Sequence, residues 1–591
     1  MRDILFQYEQ VSPSTWVYLS SLLLIALFFK FNRIWSVRNL DILLLILLAP
    51  GLLLVHVGRN MEREVLEAHR ARLASLDPEQ EVEQILQAES ENGSTGAPPD
   101  DANANLADAA GVLKEWDIDE LPADLAADFA YGRQIERAGF IWLFVVSALL
   151  LIRLLVDPTM VRRPLLEPNL TTGGMVFLIV FFYLFLMANV VISRPKPEDL
   201  RGPIEAARLM SGEATDRDGL ERNGPGYAVL FMLPSLPTAP IDTQVERRVE
   251  KSSEHLELPW RIAKQALPES VRNREISTTP GTEEDTNDPF VTLDARYAGV
   301  TGDQVRLVTV RGTELSVPLA SLATPSRNYV RFFQQCTTIA KTIAIVSHLA
   351  VLLALIAVGF WHFKNLKMGV GAALIYMIVP YTSQMTGRVD HVLPAALLSW
   401  AIVMYRRPLV AGLFIGLASG VIYYPLFLLP LWISFYWERG LGRFLVGCLT
   451  VVAVMVLVLF FVSADLADFW LNTKKMLGLM RPQSEGLQGI WGLGWPPVYR
   501  FSVLAAFVAL CGSFALWPIQ KNLGTLLSCT AAVMVATQFW HGYGGGLYLA
   551  WYLPTLLLTI FRPNLEDKIA VAVLRPGRGS VSAEQHLKPV A

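Results

Sequence analysis

Long apolar runs separated by short charged segments dominate the chain. They lie at about 16–29, 40–57, 139–156, 174–193, 338–361, 369–385, 390–405, 408–422, 424–436, 444–463, 499–517, 524–541 and 546–562. Most approach the roughly 20 residues that an α-helix needs to cross the hydrocarbon core of a bilayer. The pattern therefore predicts a polytopic α-helical membrane protein with about 13 transmembrane helices.

Basic residues fall in alternate connections between these runs. They are Lys30, Arg33, Arg38, Arg162, Arg163, Lys364, Lys367, Arg406, Arg407, Arg439, Arg443 and Lys521. Cytoplasmic loops carry an excess of Lys and Arg, so the alternation predicts an N-terminus outside and a basic tail, 563–591, inside. We expect a multi-pass protein of the cytoplasmic (inner) membrane.

The same pattern divides the chain into regions. Residues 1–57 and 139–193 form two predicted transmembrane hairpins, and residues 337–562 form the main transmembrane bundle. Between them we expect two extracytoplasmic segments. The first, 58–138, is an acidic loop with helical ends and a disordered middle, and the second begins with a mixed region at 194–289.

A small β domain is predicted at residues 290–335. Its strands are expected at Val291–Tyr297, Gln304–Val310 and Glu314–Val317, because turn-forming residues separate these alternating runs. The sequence TLDARYAGVTGDQVRLVTVRGTELSVPLASL resembles the SH3-like homology domain first described in an endocytic actin-adaptor protein, over about residues 290–332. The resemblance implies a small β-barrel that serves as a structural or docking module, with a protein as its partner.

Composition narrows the class of function. Hydrophobic residues make up 53% of the chain, mean hydropathy is +0.39, and a net charge of −3 argues against nucleic acid as a partner. The four cysteines lie in or beside apolar runs and show no Cys-x-x-Cys spacing. Neither a disulfide framework nor a zinc site is therefore indicated.

The second half contains a charged motif, Gly387-Arg388-Val389-Asp390, between apolar runs. It is followed by Arg406-Arg407-Pro408, the small-residue run LVAGLFIGLA, Tyr423-Tyr424-Pro425, RPQSEGLQGIWGL and FWHGYGGGLYLAWYLP. This order resembles the polyprenyl-phosphate-dependent membrane glycosyltransferases of the GT-C fold, over about residues 337–562. Arg388 stands where that family often has an amide. The resemblance implies transfer of a hexose, mannose-like, from a lipid-linked donor within the membrane lipid to an extracytoplasmic acceptor.

A lipid-phosphate donor requires cations for its phosphate, and flat or polar side chains for its sugar. Outward loops supply candidate phosphate ligands in Arg388, Lys474, Lys475, Arg481 and His541. Candidate contacts to sugar or acceptor are His391, Gln483, Trp495, Gln538 and Tyr543. Aromatic residues of this kind also populate membrane interfaces without any ligand.

The proton of the attacking hydroxyl requires a carboxylate base. The resemblance implies an acidic residue of the first long outward loop, where Asp117 and Asp119 form an Asp-x-Asp pattern. Asp390 is the other candidate, and a structural ion pair with Arg388 is the alternative for it. No cofactor is certain. Carboxylate oxygens would suit Mg²⁺ or Mn²⁺ if a metal takes part.

Two other classes of function remain open. A non-catalytic scaffold would use the extracytoplasmic β domain to recruit a partner. A transporter ranks third, because the two halves show no paired broken helices and no internal repeat.

Overall fold

The computed structural model describes residues 12–75, 121–160, 166–193, 202–206, 209, 225–235, 257–268, 271, 288–309, 313–480, 482, 487–519 and 521–563. It shows a helical membrane protein that carries a small antiparallel sheet. The N-terminal helices are α1 Pro13–Phe28, α2 Val37–Ser75, α3 Ala123–Val156, α4 Thr172–Ile192 and α5 Pro225–Ser235. After the sheet come α6 Thr324–Ala357, α7 Leu366–Ile378, α8 Pro380–Gln384, α9 Val389–Val403, α10 Pro408–Val421, α11 Leu429–Tyr436, α12 Leu441–Val462, α13 Leu466–Met476, α14 Pro497–Leu516, α15 Leu523–Trp540 and α16 Leu553–Phe561.

Every predicted apolar run coincides with a helix, but the helices differ in length. Within the described part of the chain, seven are long and apolar enough to cross a membrane. Others, such as α7, α9 and α10, have 10–17 residues, and α16 has 9. These fall short of the roughly 20 residues that a straight span requires. Membrane insertion is thus supported by the long helices, and about 13 spans stays a prediction.

The first extracytoplasmic loop was predicted at 58–138, but the structure shows membrane helices that extend into both of its described ends. Helix α2 continues to Ser75, and α3 begins already at Ala123. The helical ends that the charge pattern predicted are therefore continuous with the membrane helices on either side.

Close packing of α10 against α12 follows from small residues. A Cβ on Gly412 would overlap the carbonyl oxygen of Phe444, so only glycine allows this approach. Gly416 and Ala411 lie on the same buried face. The small-residue run thus acts as a helix-packing surface, as its spacing predicts.

Helix α15 is the central helix of the bundle. Of its 18 residues, 94% are buried, although several of them are Thr or Ser. It contacts α3, α11, α14 and α16. A capping box at its start joins Asn522 and Thr525, each side chain accepting a backbone N–H of the other residue.

A buried charge network joins the first helices to the end of the bundle. Arg153 on α3 donates to both oxygens of Asp41 on α2, at 2.7 and 3.0 Å, and to Asp157 at 3.0 Å. Arg562, just after α16, donates to the other oxygen of Asp157 at 2.6 Å. Two carboxylates and two guanidiniums thus neutralise one another inside the protein. The N-terminal helices are therefore an integral part of the bundle.

The sheet is a meander of strands β1 Glu257–Ala263, β2 Phe290–Thr301, β3 Gln304–Thr309 and β4 Glu314–Pro318, paired in that order among the described residues. Strands β2 to β4 confirm the three predicted strands to within a few residues. Strand β1 was not predicted, and it extends the unit to before residue 290. Ile262 in β1 also bridges Leu322, so the chain after β4 returns to the open edge of β1.

The β unit is anchored on helix α6. Trp260 and Tyr297 pack in its core, and the ring of Tyr297 stacks on Phe333 of α6 at 4.8 Å between centroids. The indole N–H of Trp260 donates to the carbonyl of Ala295 at 2.7 Å. The sheet and the first turns of α6 therefore share one apolar core.

Candidate functional site

The charged motif forms the first wall of the candidate site. Arg388 is the residue before α9, and Asp390 lies in the first turn of that helix. The Arg388 guanidinium donates from Nε to Oδ1 of Asp390 at 3.1 Å and from Nη2 to Oδ2 at 2.9 Å. Both side chains are largely buried, at 11% and 6% exposure. The pair is bidentate, a geometry that fixes the plane of the guanidinium.

His391 lies next to this pair. Its Nε2 is 3.8 Å from Oδ2 of Asp390, and its Nδ1 is 2.5 Å from the hydroxyl of Tyr381. Since α8 carries Tyr381 and α9 carries His391, this contact closes the loop between the two helices. His348 of α6 supports the same loop, because its Nε2 is 3.0 Å from the carbonyl oxygen of Thr386.

The turn after α15 forms the second wall. Gln538 accepts the backbone N–H groups of Gly546 and Tyr548, at 3.1 and 3.2 Å, so its side chain holds the turn in place. Nδ1 of His541 accepts the backbone N–H of Tyr543 at 3.1 Å. With Nδ1 acting as acceptor, a neutral His541 carries its proton on Nε2.

Close contacts between tilted rings join the two walls. The ring of Tyr548 lies 4.3 Å from His391 and 4.4 Å from His541, between centroids. The indole N–H of Trp551 donates to the carbonyl oxygen of Asp390 at 3.1 Å. The predicted residues Arg388, Asp390, His391, Gln538 and His541 therefore belong to one cluster, with Tyr543 at its edge.

The aromatic cluster continues toward helix α13. The ring of Tyr424 lies 5.1 Å from that of His541 between centroids, and the hydroxyl of Tyr423 donates to that of Tyr424 at 2.7 Å. Burial raises the pKa of Tyr423 above its ordinary value, so this hydroxyl stays protonated. The two predicted lysines of α13 differ in position, since Lys474 is exposed and Lys475 is buried.

Other predicted residues lie elsewhere. Trp495 is exposed, and the guanidinium of Arg137 lies 5.7 Å above its ring. The strand-like contact between Gln488 and Tyr543 connects the Trp495 loop to the second wall. Asp117, Asp119, Arg481 and Gln483 lie outside the described residues. Among the residues that are described, no group of three or more His, Cys, Asp or Glu could hold a metal ion.

Three members of the cluster were not predicted. Tyr381 and Trp551 contact the charged motif from distant parts of the sequence. Arg500 is buried in α14, where its Nε donates to the carbonyl of Trp540 at 2.8 Å. A lone arginine in an apolar run costs free energy in a membrane and therefore points to a function. This signal could have identified Arg500.

Both oxygens of Asp390 accept hydrogen bonds from Arg388. This geometry supports the ion-pair interpretation of Asp390, in which the carboxylate orients a cation. The cluster thus offers a fixed guanidinium, two imidazoles and several phenol and indole groups. Such a set suits an anionic group attached to a flat polar ligand.

Comparison with known proteins gives no relative: the chain matches no family model, no curated protein and no solved structure.

Proposed function

We propose that this protein is a membrane glycosyltransferase of the GT-C type. It transfers a hexose, mannose-like, from a polyprenyl-phosphate donor to an acceptor on the extracytoplasmic side of the cytoplasmic membrane. The supporting observation is the buried Arg388–Asp390 pair, together with Tyr548, whose ring contacts both His391 and His541. A fixed cation beside closely packed aromatic rings fits a phosphate attached to a sugar.

The proposed reaction inverts the anomeric carbon. The acceptor hydroxyl attacks that carbon, the bond from carbon to phosphate oxygen breaks, and polyprenyl phosphate leaves with the electron pair. Arg388 and the Nε2 proton of His541 stabilise the charge that develops on this phosphate. Asp390 positions Arg388, and the proton of the acceptor goes to a carboxylate of the 58–138 segment, Asp117 or Asp119.

The test is transfer from a radiolabelled polyprenyl-phosphate hexose in proteoliposomes that contain the full chain. We expect Arg388→Gln to lower the rate by roughly 100-fold, since it removes a charge aimed at the leaving group. Glu438→Gln is the matched control, because Glu438 is exposed on the loop after α11. A wild-type rate for Arg388→Gln would contradict the proposal.

A scaffold is the second candidate function. The observation that favours it is the core shared by the β unit and α6, which would couple a docked protein to the membrane bundle. The full chain in nanodiscs would then capture a soluble protein, and Arg388→Gln would leave that capture unchanged. Loss of capture on Arg388→Gln would contradict a separate docking role.

A further inference from the structure

The first turn of α9 lacks part of the hydrogen bonding that normally fixes a helix. Pro394 lies inside α9 and has no backbone N–H, so the carbonyl oxygen of Asp390, four residues earlier, lacks the donor that a regular helix supplies. The indole N–H of Trp551 donates to this oxygen instead, at 3.1 Å. Arg388, which comes just before the helix, therefore depends on other elements for its position.

Helix α6 supplies such a contact through His348. The imidazole is buried, and its Nε2 is 3.0 Å from the carbonyl oxygen of Thr386, two residues before Arg388. A carbonyl oxygen only accepts, so Nε2 carries a proton, and in the neutral ring Nδ1 then accepts. The hydroxyl of Tyr376 on α7 is 3.0 Å from Nδ1 and donates to it. A directional chain of hydrogen bonds thus runs from α7 through α6 to the loop before α9.

The carbonyl that His348 contacts belongs to the central peptide of a tight turn. The backbone N–H of Arg388 donates to the carbonyl oxygen of Met385 at 3.1 Å, which closes a four-residue turn over 385–388. The central peptide of such a turn, here between Thr386 and Gly387, has two orientations that differ by a flip of its carbonyl. Glycine at the third position is compatible with both orientations. The sequence of the turn therefore leaves its conformation open, and the hydrogen bond from His348 selects one.

A second histidine makes the matching contact at the other end of α9. His362 ends the π-helical turn that follows α6, and its Nε2 is 2.7 Å from the carbonyl oxygen of Val403, the last residue of α9. Both imidazoles are buried. Because a helix rises about 1.5 Å per residue, the two histidines lie roughly 21 Å apart. Helix α6 thus holds α9 near both ends, and the contact of His348 is the one that adjoins Arg388.

From these observations we infer that His348 is a positioning residue for Arg388. By donating to the carbonyl of Thr386, it selects the orientation of the turn that directs the Arg388 guanidinium to the reacting group. Tyr376 acts through His348, because its hydroxyl fixes the tautomer that donates from Nε2. The inference rests on the proposed function for the reaction that Arg388 serves. The order of the turn at 385–388 is independent of that function.

Hydrogen exchange of the full chain in nanodiscs tests the order of the turn. We expect His348→Leu to raise amide exchange at residues 385–388 about 10-fold, because the hydrogen bond that selects one turn orientation is lost. His348→Gln should stay within about threefold of the wild type, since its side-chain amide still donates to Thr386. Unchanged exchange at 385–388 in His348→Leu would overturn the inference.

His362→Leu is the matched control, because it removes the same kind of hydrogen bond from the other end of α9. Exchange should rise at residues 403–407 and stay at the wild-type rate at 385–388. Faster exchange at 385–388 in this variant as well would assign the effect to general loosening of α9, which contradicts a specific role of His348.

Sugar transfer by the same preparations tests the effect on Arg388. We expect His348→Leu to lower kcat about 10- to 100-fold and to change KM for the lipid-linked donor much less, because a displaced cation fails mainly in the transition state. His348→Gln should recover most of kcat, and His362→Leu should keep it. A wild-type kcat in His348→Leu would overturn the inference.

The double variant with Arg388→Gln separates positioning from a general structural role. If His348 acts through Arg388, adding His348→Leu to Arg388→Gln should lower kcat no further. Losses that multiply in the double variant would show that His348 acts independently of Arg388, which contradicts the inference.

Tyr376→Phe keeps the test available where His348→Leu fails to fold, because it removes one hydroxyl and keeps the packing of the ring. We expect exchange at 385–388 to rise about threefold, and unchanged exchange would contradict the hydrogen-bond chain. Failure of the proposed function is distinguishable from failure of this inference. A wild-type chain that transfers no sugar would remove the proposed function, and the exchange measurements would still decide the role of His348. Transfer by the wild type with an unchanged kcat in His348→Leu would remove only the present inference.

Discussion

Two buried charge clusters at opposite ends of α16 differ in what they connect. The network of Asp41, Arg153, Asp157 and Arg562 joins α2, α3 and the end of α16, and its longest contact links residues 405 positions apart. The Arg388–Asp390 pair joins residues only two positions apart on one element. The first cluster therefore holds helices together. The paired side chains of the second cluster belong to one short segment, and their pairing fixes the direction of a cation.

The difference indicates where function lies in this bundle. A buried ion pair stabilises little against an apolar alternative, so it needs another reason to exist. For the network around Asp157 that reason is assembly of the bundle, because its charges specify which helices pack together. For the local pair, the proposed function offers another reason, which is that Asp390 orients Arg388 toward a ligand.

The largest expected effect is that of Asp157→Asn. This carboxylate accepts from both Arg153 and Arg562, so its loss leaves two buried guanidiniums with one carboxylate. We expect the free energy of unfolding to fall by about 3–5 kcal/mol. Thermal unfolding in detergent measures it. The control is Asp124→Asn in the exposed pair with Arg72, where about 0–1 kcal/mol is expected. Equal losses of unfolding free energy in the two variants would contradict a role of the buried network in holding the helices together.

Asp390→Asn should cost less stability and more activity. Arg388 loses the charge of the carboxylate that it pairs with, so we expect a decrease of about 1.5–3 kcal/mol in unfolding free energy. Sugar transfer should fall by roughly 100-fold, because the guanidinium is no longer held in one plane. Both are measured on the same preparation. A stability loss as large as that of Asp157→Asn, with a normal rate of sugar transfer, would show that Asp390 serves only to stabilise the fold.

Gln538→Leu tests whether Gln538 stabilises only the turn after α15, which forms the second wall. The variant leaves the backbone N–H groups of Gly546 and Tyr548 without their acceptor. We expect unfolding free energy to fall by about 1–3 kcal/mol. Hydrogen exchange at residues 541–548 should rise while exchange in α2 and α3 stays the same. Faster exchange across all helices would show that Gln538 supports the whole bundle.

Tyr381→Phe is expected to have the smallest effect on folding, about 0.5–1.5 kcal/mol, since one hydrogen bond to His391 is lost. Sugar transfer should fall by about 10-fold or less, because the imidazole beside Asp390 loses the hydroxyl that holds it in place. The transfer rate on the same preparation measures this. An unchanged rate would place His391 outside the reacting cluster.

The sequence predicted the helices and strands β2 to β4 because each follows from local periodicity. Strand β1 escaped prediction because it contains Pro259 and pairs with residues far along the chain. The charged motif was recognisable, since Arg388 and Asp390 interrupt an apolar run. Its partners Tyr381 and Trp551 were not, because they are ordinary aromatic residues until the fold brings them together.

The long-range network had no local signal either. Asp41 and Arg153 are 112 positions apart, and each lies at the end of an apolar run, where a charge is unremarkable by itself. Their pairing depends on the packing of α2 against α3. Prediction of such contacts needs the tertiary arrangement, whereas prediction of a membrane helix needs only one segment.

The burial of α15 has a consequence for biosynthesis. This helix is translated after α1 to α14, yet it occupies the middle of the bundle and contacts α3 from early in the chain. The ribosome therefore delivers the central helix when most of its neighbours are already in the bilayer. Those neighbours must leave a gap that α15 fills late, and a nascent chain halted before residue 523 would expose that gap to lipid and to membrane quality control.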